Sequence, residues 1–123
     1  MSKVLLVEDD SLFVKMYQKK FAHEGIELES ALDGLEGLEK VKTLKPDLII
    51  LDLMLPKMAG SEVLRKIKED SEVADIPVIV MTNLNTSSDE VGQCVKLGAK
   101  ETLLKTDVTP DQVLQTVRKY ISS

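Results

Sequence analysis

Tryptophan is absent from this 123-residue chain, cysteine and histidine occur once each, and only two Phe and two Tyr are present. A lone cysteine, Cys94, cannot close an internal disulfide, which fits a reducing, cytoplasmic setting. His23 has no nucleophile motif around it, and interaction with a helix end beside Gly25 explains it more simply. No basic run interleaves with the few aromatics, and the formal net charge is −5. Direct contact with nucleic acid or an anionic membrane is therefore not expected. Apolar runs are only a few residues long, far short of the ~20 that a membrane helix needs. Met1 leads straight into "SKVLLVEDD", so no signal peptide is expected. Linkers, repeats and low-complexity tracts are missing too. What remains has the composition of a soluble globular protein, one domain over residues 1–123 by size.

Short apolar runs alternate with longer amphipathic stretches. Lys3–Val7, Leu48–Leu51, Val78–Met81 and Thr102–Leu104 are nearly continuous in Leu and β-branched residues, as suits strands covered on both faces. "ELESAL" from Glu27 alternates polar and apolar and reads as an edge strand. Between the runs lie helix patterns. Phe13, Met16, Tyr17 and Phe21 recur at helical spacing, with Gly25 as the stop. Asp33 and Glu36 form a capping-box pattern ahead of Leu35, Leu38 and Val41. A third helix follows Gly60 with Val63, Leu64 and Ile67, and a fourth runs from about Ser88 through Val91 and Val95 to Gly98. Cys94 falls on that fourth helix, as a small packing residue. The last begins at Thr109-Pro110, with Gln112 completing a box, and presents Val113, Val117 and Ile121. Five strands alternating with five helices predict a doubly wound α/β domain around a parallel sheet.

Ligand chemistry in such folds gathers at the carboxyl ends of the strands. The first strand here runs into Glu8-Asp9-Asp10, the third into Asp52, the fourth into Thr82 and the fifth into Lys105. Taken singly, "EDD" is as readily a helix cap, Asp52 a turn former before Pro56, Thr82 a strand residue and Lys105 a solvated charge. In a parallel sheet, however, these ends face one small volume. Two carboxylates about 4 Å apart repel by roughly 4 kcal/mol at a near-surface dielectric, and Lys105 supplies one positive charge against several acids. Such a cluster either raises a carboxyl pKa or recruits a cation. An oxygen-only donor set suits a hard divalent ion such as Mg²⁺, which leaves coordination positions open for a phosphate.

The chain resembles the receiver domain of two-component response regulators, the CheY-like superfamily, over essentially its whole length. The residues that carry the resemblance are "VEDD", "DLMLPKMAG" from Asp52 to Gly60, "VIVMT" ending at Thr82 and "GAKETLLK" ending at Lys105. It implies a flavodoxin-like three-layer (βα)5 sandwich with strand order 2-1-3-4-5. It implies that Asp52 accepts a phosphoryl group from a histidine kinase or histidine phosphotransfer protein. Asp9 and Asp52 would hold Mg²⁺ (or Mn²⁺) with the backbone carbonyl of Met54, and Glu8 would act through a metal-bound water. Thr82 and Lys105 would contact the phosphoryl oxygens. Asp10 stands open between ligand and cap, and Asn83, in a usually small position, between crowding the phosphoryl group and hydrogen bonding to it. The implied protein is a signalling switch that catalyses its own phosphorylation and slow autodephosphorylation. It would then bind a downstream target protein, with no DNA-binding output domain.

Three departures from the family pattern bear on signalling, of which Asn83 is one. Thr106 follows Lys105 where proline behind a cis peptide is common, so a trans bond with a reshaped loop is expected. Thr102 stands where an aromatic often swings inward on activation. Other Asp- or phosphate-using folds fit less well. A haloacid-dehalogenase-type hydrolase wants a second acid where Met54 stands, and a flavin site wants hydroxyls and glycine where this chain has "EDDS".

Overall fold

The structure, a computed structural model, describes residues 2–121. Elements follow in strict alternation: β1 (Lys3–Val7), α1 (Ser11–His23), β2 (Glu27–Ala31), α2 (Gly34–Leu44), β3 (Leu48–Asp52), α3 (Gly60–Glu69), β4 (Val78–Thr82), α4 (Ser88–Lys96), β5 (Glu101–Leu104) and α5 (Pro110–Arg118). The strands form one sheet in the order β2-β1-β3-β4-β5, every pair parallel. The order and the doubly wound architecture are those expected from the sequence.

In β1, β3 and β4 the continuous apolar runs are explained by the two layers that cover the sheet; β5, expected to be covered in the same way, lies at the edge, with Thr102 exposed and its neighbours half-buried. Val4, Leu6, Leu48, Ile50, Ile79 and Met81 pack under α1 and α5, against Val14, Tyr17, Phe21, Val113 and Val117. Their neighbours Leu5, Val7, Ile49, Leu51, Val78 and Val80 point to the other face, against Val41 of α2, Val63, Leu64 and Ile67 of α3, and Cys94 of α4. Each fully buried Leu, Ile or Val contributes about 1.5–3 kcal/mol of gross burial energy. After Lys3, no polar residue interrupts β1, β3 or β4 until the strands reach their carboxyl ends.

Helix ends follow local chemistry. Asp10 caps α1, its Oδ1 accepting from the N–H groups of Leu12 (3.0 Å) and Phe13 (3.3 Å). Gly25, at φ +75°, supplies the left-handed step that ends the helix. Asp33 caps α2 by accepting from Glu36 N. The Glu36 carboxylate, however, takes the N–H of Leu32 and not that of the cap itself. Thr109 and Gln112 close the expected reciprocal box on α5. Three residues placed by spacing on apolar faces, Met16, Leu35 and Val95, are exposed. In each case another residue of the same helix, itself expected from the sequence, packs inward: Tyr17, Leu38 and Cys94. Cys94 is a packing residue as expected, and burial, with the Glu90 charge beside it, pushes its thiol up to about 11.

Candidate functional site

The register brings the polar strand ends level. Val7 lies beside Leu51, Asp52 beside Met81, and Thr82 beside Leu104. Glu8 and Asp9 therefore emerge beside Asp52, and Lys105 follows directly on the last residue of β5. The Lys105 backbone N–H donates to the Thr82 carbonyl at 2.8 Å, which fixes where its side chain starts.

Glu8, Asp52 and Thr82 are the buried polar residues of the described chain, at 1%, 5% and 7% exposure. Glu8, Asp9 and Asp52 each offer a carboxylate oxygen within 4.8 Å of the others. The Lys105 ammonium reaches across to them, 2.5 Å from Glu8 Oε1 and 3.4 Å from Asp52 Oδ2. Met54 N–H donates to Asp52 Oδ1 at 2.9 Å and so orients the carboxylate from the loop that follows β3. Asp10 N–H does the same for Glu8 Oε2. Burial raises the Glu8 carboxyl above its usual value. The Lys105 and Asp10 hydrogen bonds oppose that rise and the Asp52 charge adds to it. Burial also works against the Lys105 charge, but the Glu8 hydrogen bond and the two carboxylates outweigh it and hold the ammonium above the ordinary lysine value.

Three acids against one ammonium leave the cluster short of positive charge by about what a divalent cation carries. All the donors are oxygens, one of them on exposed Asp9 at the open side. The donor chemistry fits Mg²⁺ or Mn²⁺ and argues against softer metals. Asp10 is outside this cluster, and its side chain is committed to capping α1. Asn83 turns its Oδ1 into its own loop, accepting from Asn85 N and Thr86 Oγ1. The Thr82 hydroxyl makes one long bond, 3.4 Å to the Leu103 carbonyl. Among the described residues all peptide bonds are trans, Lys105–Thr106 included, as expected.

Two neighbours of the site were not legible as such. Phe13, assigned to the core by its spacing, carries its ring 4.4 Å from the Lys105 ammonium. No sequence signal joins positions so far apart in the chain. Gly60 packs against the β3 end, where a Cβ would come 2.6 Å from Leu53 Cα and 2.7 Å from the Asp52 carbonyl oxygen. The sequence marks Gly60 as the start of a helix and the end of the "DLMLPKMAG" motif, but not its tight seat against β3.

A flavodoxin-like sheet with acids, a hydroxyl and a lysine converging at its carboxyl edge is the architecture of a phosphoacceptor switch. The chain belongs to the response regulator receiver domain family, whose model matches residues 4–118. It is 30% identical over 118 residues to the polar-differentiation response regulator DivK of Brucella anthropi, covering 96% of this chain and 94% of that one. Among solved structures, chemotaxis protein CheY4 of Vibrio cholerae superposes with a TM-score of 0.87 at 29% identity, covering 98% of this chain and 99% of the other. A CheY-like receiver domain protein from Methanospirillum hungatei gives 0.89 at 26% identity, covering 97% and 92%. Receiver domains are the signalling switches of two-component systems. They interact with kinases and phosphotransfer proteins and bind Mg²⁺ at an acidic pocket, and this chain has an acidic cluster at the corresponding edge of its sheet.

Proposed function

We propose that Asp52 is the phosphoryl acceptor of a receiver that takes its phosphoryl group from a histidine kinase or histidine phosphotransfer protein in the cytoplasm and then engages a downstream target protein. The observation that carries this is the buried Asp52 carboxylate, held by Met54 N–H on one oxygen and facing Lys105 on the other. An Asp52 oxygen forms the new O–P bond as the P–N bond of the donor phosphohistidine breaks. The imidazole leaves with the bonding pair and takes a proton. Lys105 and the Thr82 hydroxyl meet the charge on the phosphoryl oxygens, which is most of what such a transfer asks of a protein. Mg²⁺ or Mn²⁺, held by Asp9, Asp52 and the Met54 carbonyl with Glu8 acting through a bound water, would supply further positive charge for those oxygens when bound.

The test is Mg²⁺ with acetyl phosphate, read by intact mass. Wild type is expected to gain a single acid-labile phosphoryl group, and Asp52→Asn none. An adduct that persists in Asp52→Asn overturns the assignment, and rapid turnover of many phosphate esters favours a hydrolase instead.

The lifetime of the adduct is also set by this chain. Met54 and Leu84 flank the site two residues beyond Asp52 and Thr82, and are 45% and 81% exposed. Neither side chain can orient an attacking water, so autodephosphorylation is slow. Met54→Glu is expected to shorten the phosphoprotein half-life several-fold. A half-life that is short already and indifferent to both positions would contradict this.

A further inference from the structure

Phe13 has no part in the chemistry assigned above, yet its ring is 4.4 Å from the Lys105 ammonium. We infer that Phe13 is a positioning residue for phosphoryl transfer: its ring holds the Lys105 ammonium over the mouth of Asp52. The inference rests on Asp52 being the acceptor and Lys105 its cationic partner.

Lys105 sets out from the turn after β5, at the edge of the sheet, and its side chain has four rotatable bonds. Glu8 is the nearer carboxylate at 2.5 Å, with Asp52 at 3.4 Å. Charge alone draws the ammonium to either acid, and the nearer one is Glu8, not Asp52. An aromatic face attracts a cation at this range and adds a third fixed point.

The ring is itself held in place. It stacks on Tyr17 with centroids 4.5 Å apart, and Tyr17 meets Phe21 edge-on at 6.0 Å, both of the latter buried in the core. The backbone beneath it is fixed by the α1 cap, since Phe13 N–H donates to Asp10 Oδ1. Asp10 N–H in turn donates to Glu8 Oε2, and Glu8 Oε1 takes Lys105. Glu8, Asp10, Phe13 and Lys105 thus form a closed ring of contacts, three of them from one short stretch at the start of α1. That stretch places the lysine from two sides, by charge through Glu8 and by the aromatic face of Phe13.

The test compares Phe13→Leu and Phe13→Trp, each alone and in a Lys105→Met background, by the rate of acetyl phosphate labelling at saturating Mg²⁺. Phe13→Met runs beside them in case the branched side chain unfolds the helix start. Removing the ring is expected to slow labelling about two- to fivefold, the worth of one partly exposed cation–π contact. Phe13→Trp restores the rate. With Lys105 gone, Phe13→Leu costs nothing more, because the two effects share one contact. Mg²⁺ affinity by calorimetry stays that of wild type, as Phe13 offers the metal no donor. Equal slowing with and without Lys105, or a tryptophan variant as slow as the leucine one, overturns the positioning role. A wild-type protein that takes no label on Asp52 overturns the acceptor reading and this inference together. Full-rate labelling of Phe13→Leu overturns this inference alone.

Discussion

Replacing Lys105 with Met is expected to slow phosphorylation by about a hundredfold, the usual cost of losing one preorganised charge partner at a reacting oxyanion. It is also expected to destabilise the fold at neutral pH by about 3 kcal/mol, because Glu8 is left buried without its counter-charge. The second effect has a defined pH dependence. Burial already holds the Glu8 carboxyl above its ordinary value of 4.5, so the folded protein binds that proton more tightly than the unfolded chain does. Stability from this group is complete below 4.5 and is lost as pH rises through the folded value. The Lys105 hydrogen bond is the largest influence opposing the rise. Without it the folded value climbs further, and the loss extends to higher pH. Urea denaturation in metal-free buffer should therefore find the Lys105→Met deficit widest near neutrality and shrinking on acidification. A deficit independent of pH would mean that Glu8 carries no strain. In wild type the Lys105 ammonium, held above 10.5, sustains its own contribution into alkaline solution, and that is lost only as pH rises through its folded value.

The other large effect is expected at Gly60. Alanine is ordinarily the better helix former, by about 1 kcal/mol. Here its Cβ would lie 2.6 Å from Leu53 Cα and 2.7 Å from the Asp52 carbonyl oxygen, both backbone atoms at the end of a buried strand. Relief requires α3 to lift or the end of β3 to shift. Overpacking of this kind costs about 1–3 kcal/mol, enough to outweigh the helix preference. Gly60→Ala should lower the urea midpoint, and it should slow labelling because Asp52 moves with the strand. Gly92 in α4 is the control, since an added Cβ there meets nothing within 4 Å. Alanine at Gly92 should raise the midpoint. A Gly60→Ala protein as stable as wild type would show that the α3–β3 contact is soft.

Much of this site was legible from the sequence because each chemical group ends an apolar run. Leu48–Leu51 before Asp52 and Val78–Met81 before Thr82 are strands covered on both faces, and strands of that kind must be written as unbroken hydrophobic letters. A parallel sheet then brings their ends together whatever lies between. Helix faces were harder to read. Met16, Leu35 and Val95 satisfy a 3.6-residue period, but a period admits a wider face than the core accepts, and these three lie exposed at its margin while Tyr17, Leu38 and Cys94 turn inward. The Asp10 ambiguity had a similar source, because a carboxylate before a helix satisfies capping and metal binding equally until the backbone shows which N–H groups it meets. Phe13 under Lys105 and the tight seat of Gly60 depend on how elements cross, and no run of letters records that.

The all-parallel sheet has a consequence for how the switch comes into being. Lys3 pairs with Glu27, Val4 with Leu48, Ile49 with Val78 and Ile79 with Glu101, so no ladder is closed by a local hairpin. Every pairing must close a long loop before it returns any stabilisation, which makes such topologies slow to fold. Asp52 and the acids beside it come from the first half of the chain, while the Thr82 hydroxyl and the Lys105 ammonium come from the second. A nascent chain that stops short of β5 holds the negative charges without their counter-ion. The charge balance of the cluster therefore depends on the last strand in the chain, because Lys105 follows directly on β5.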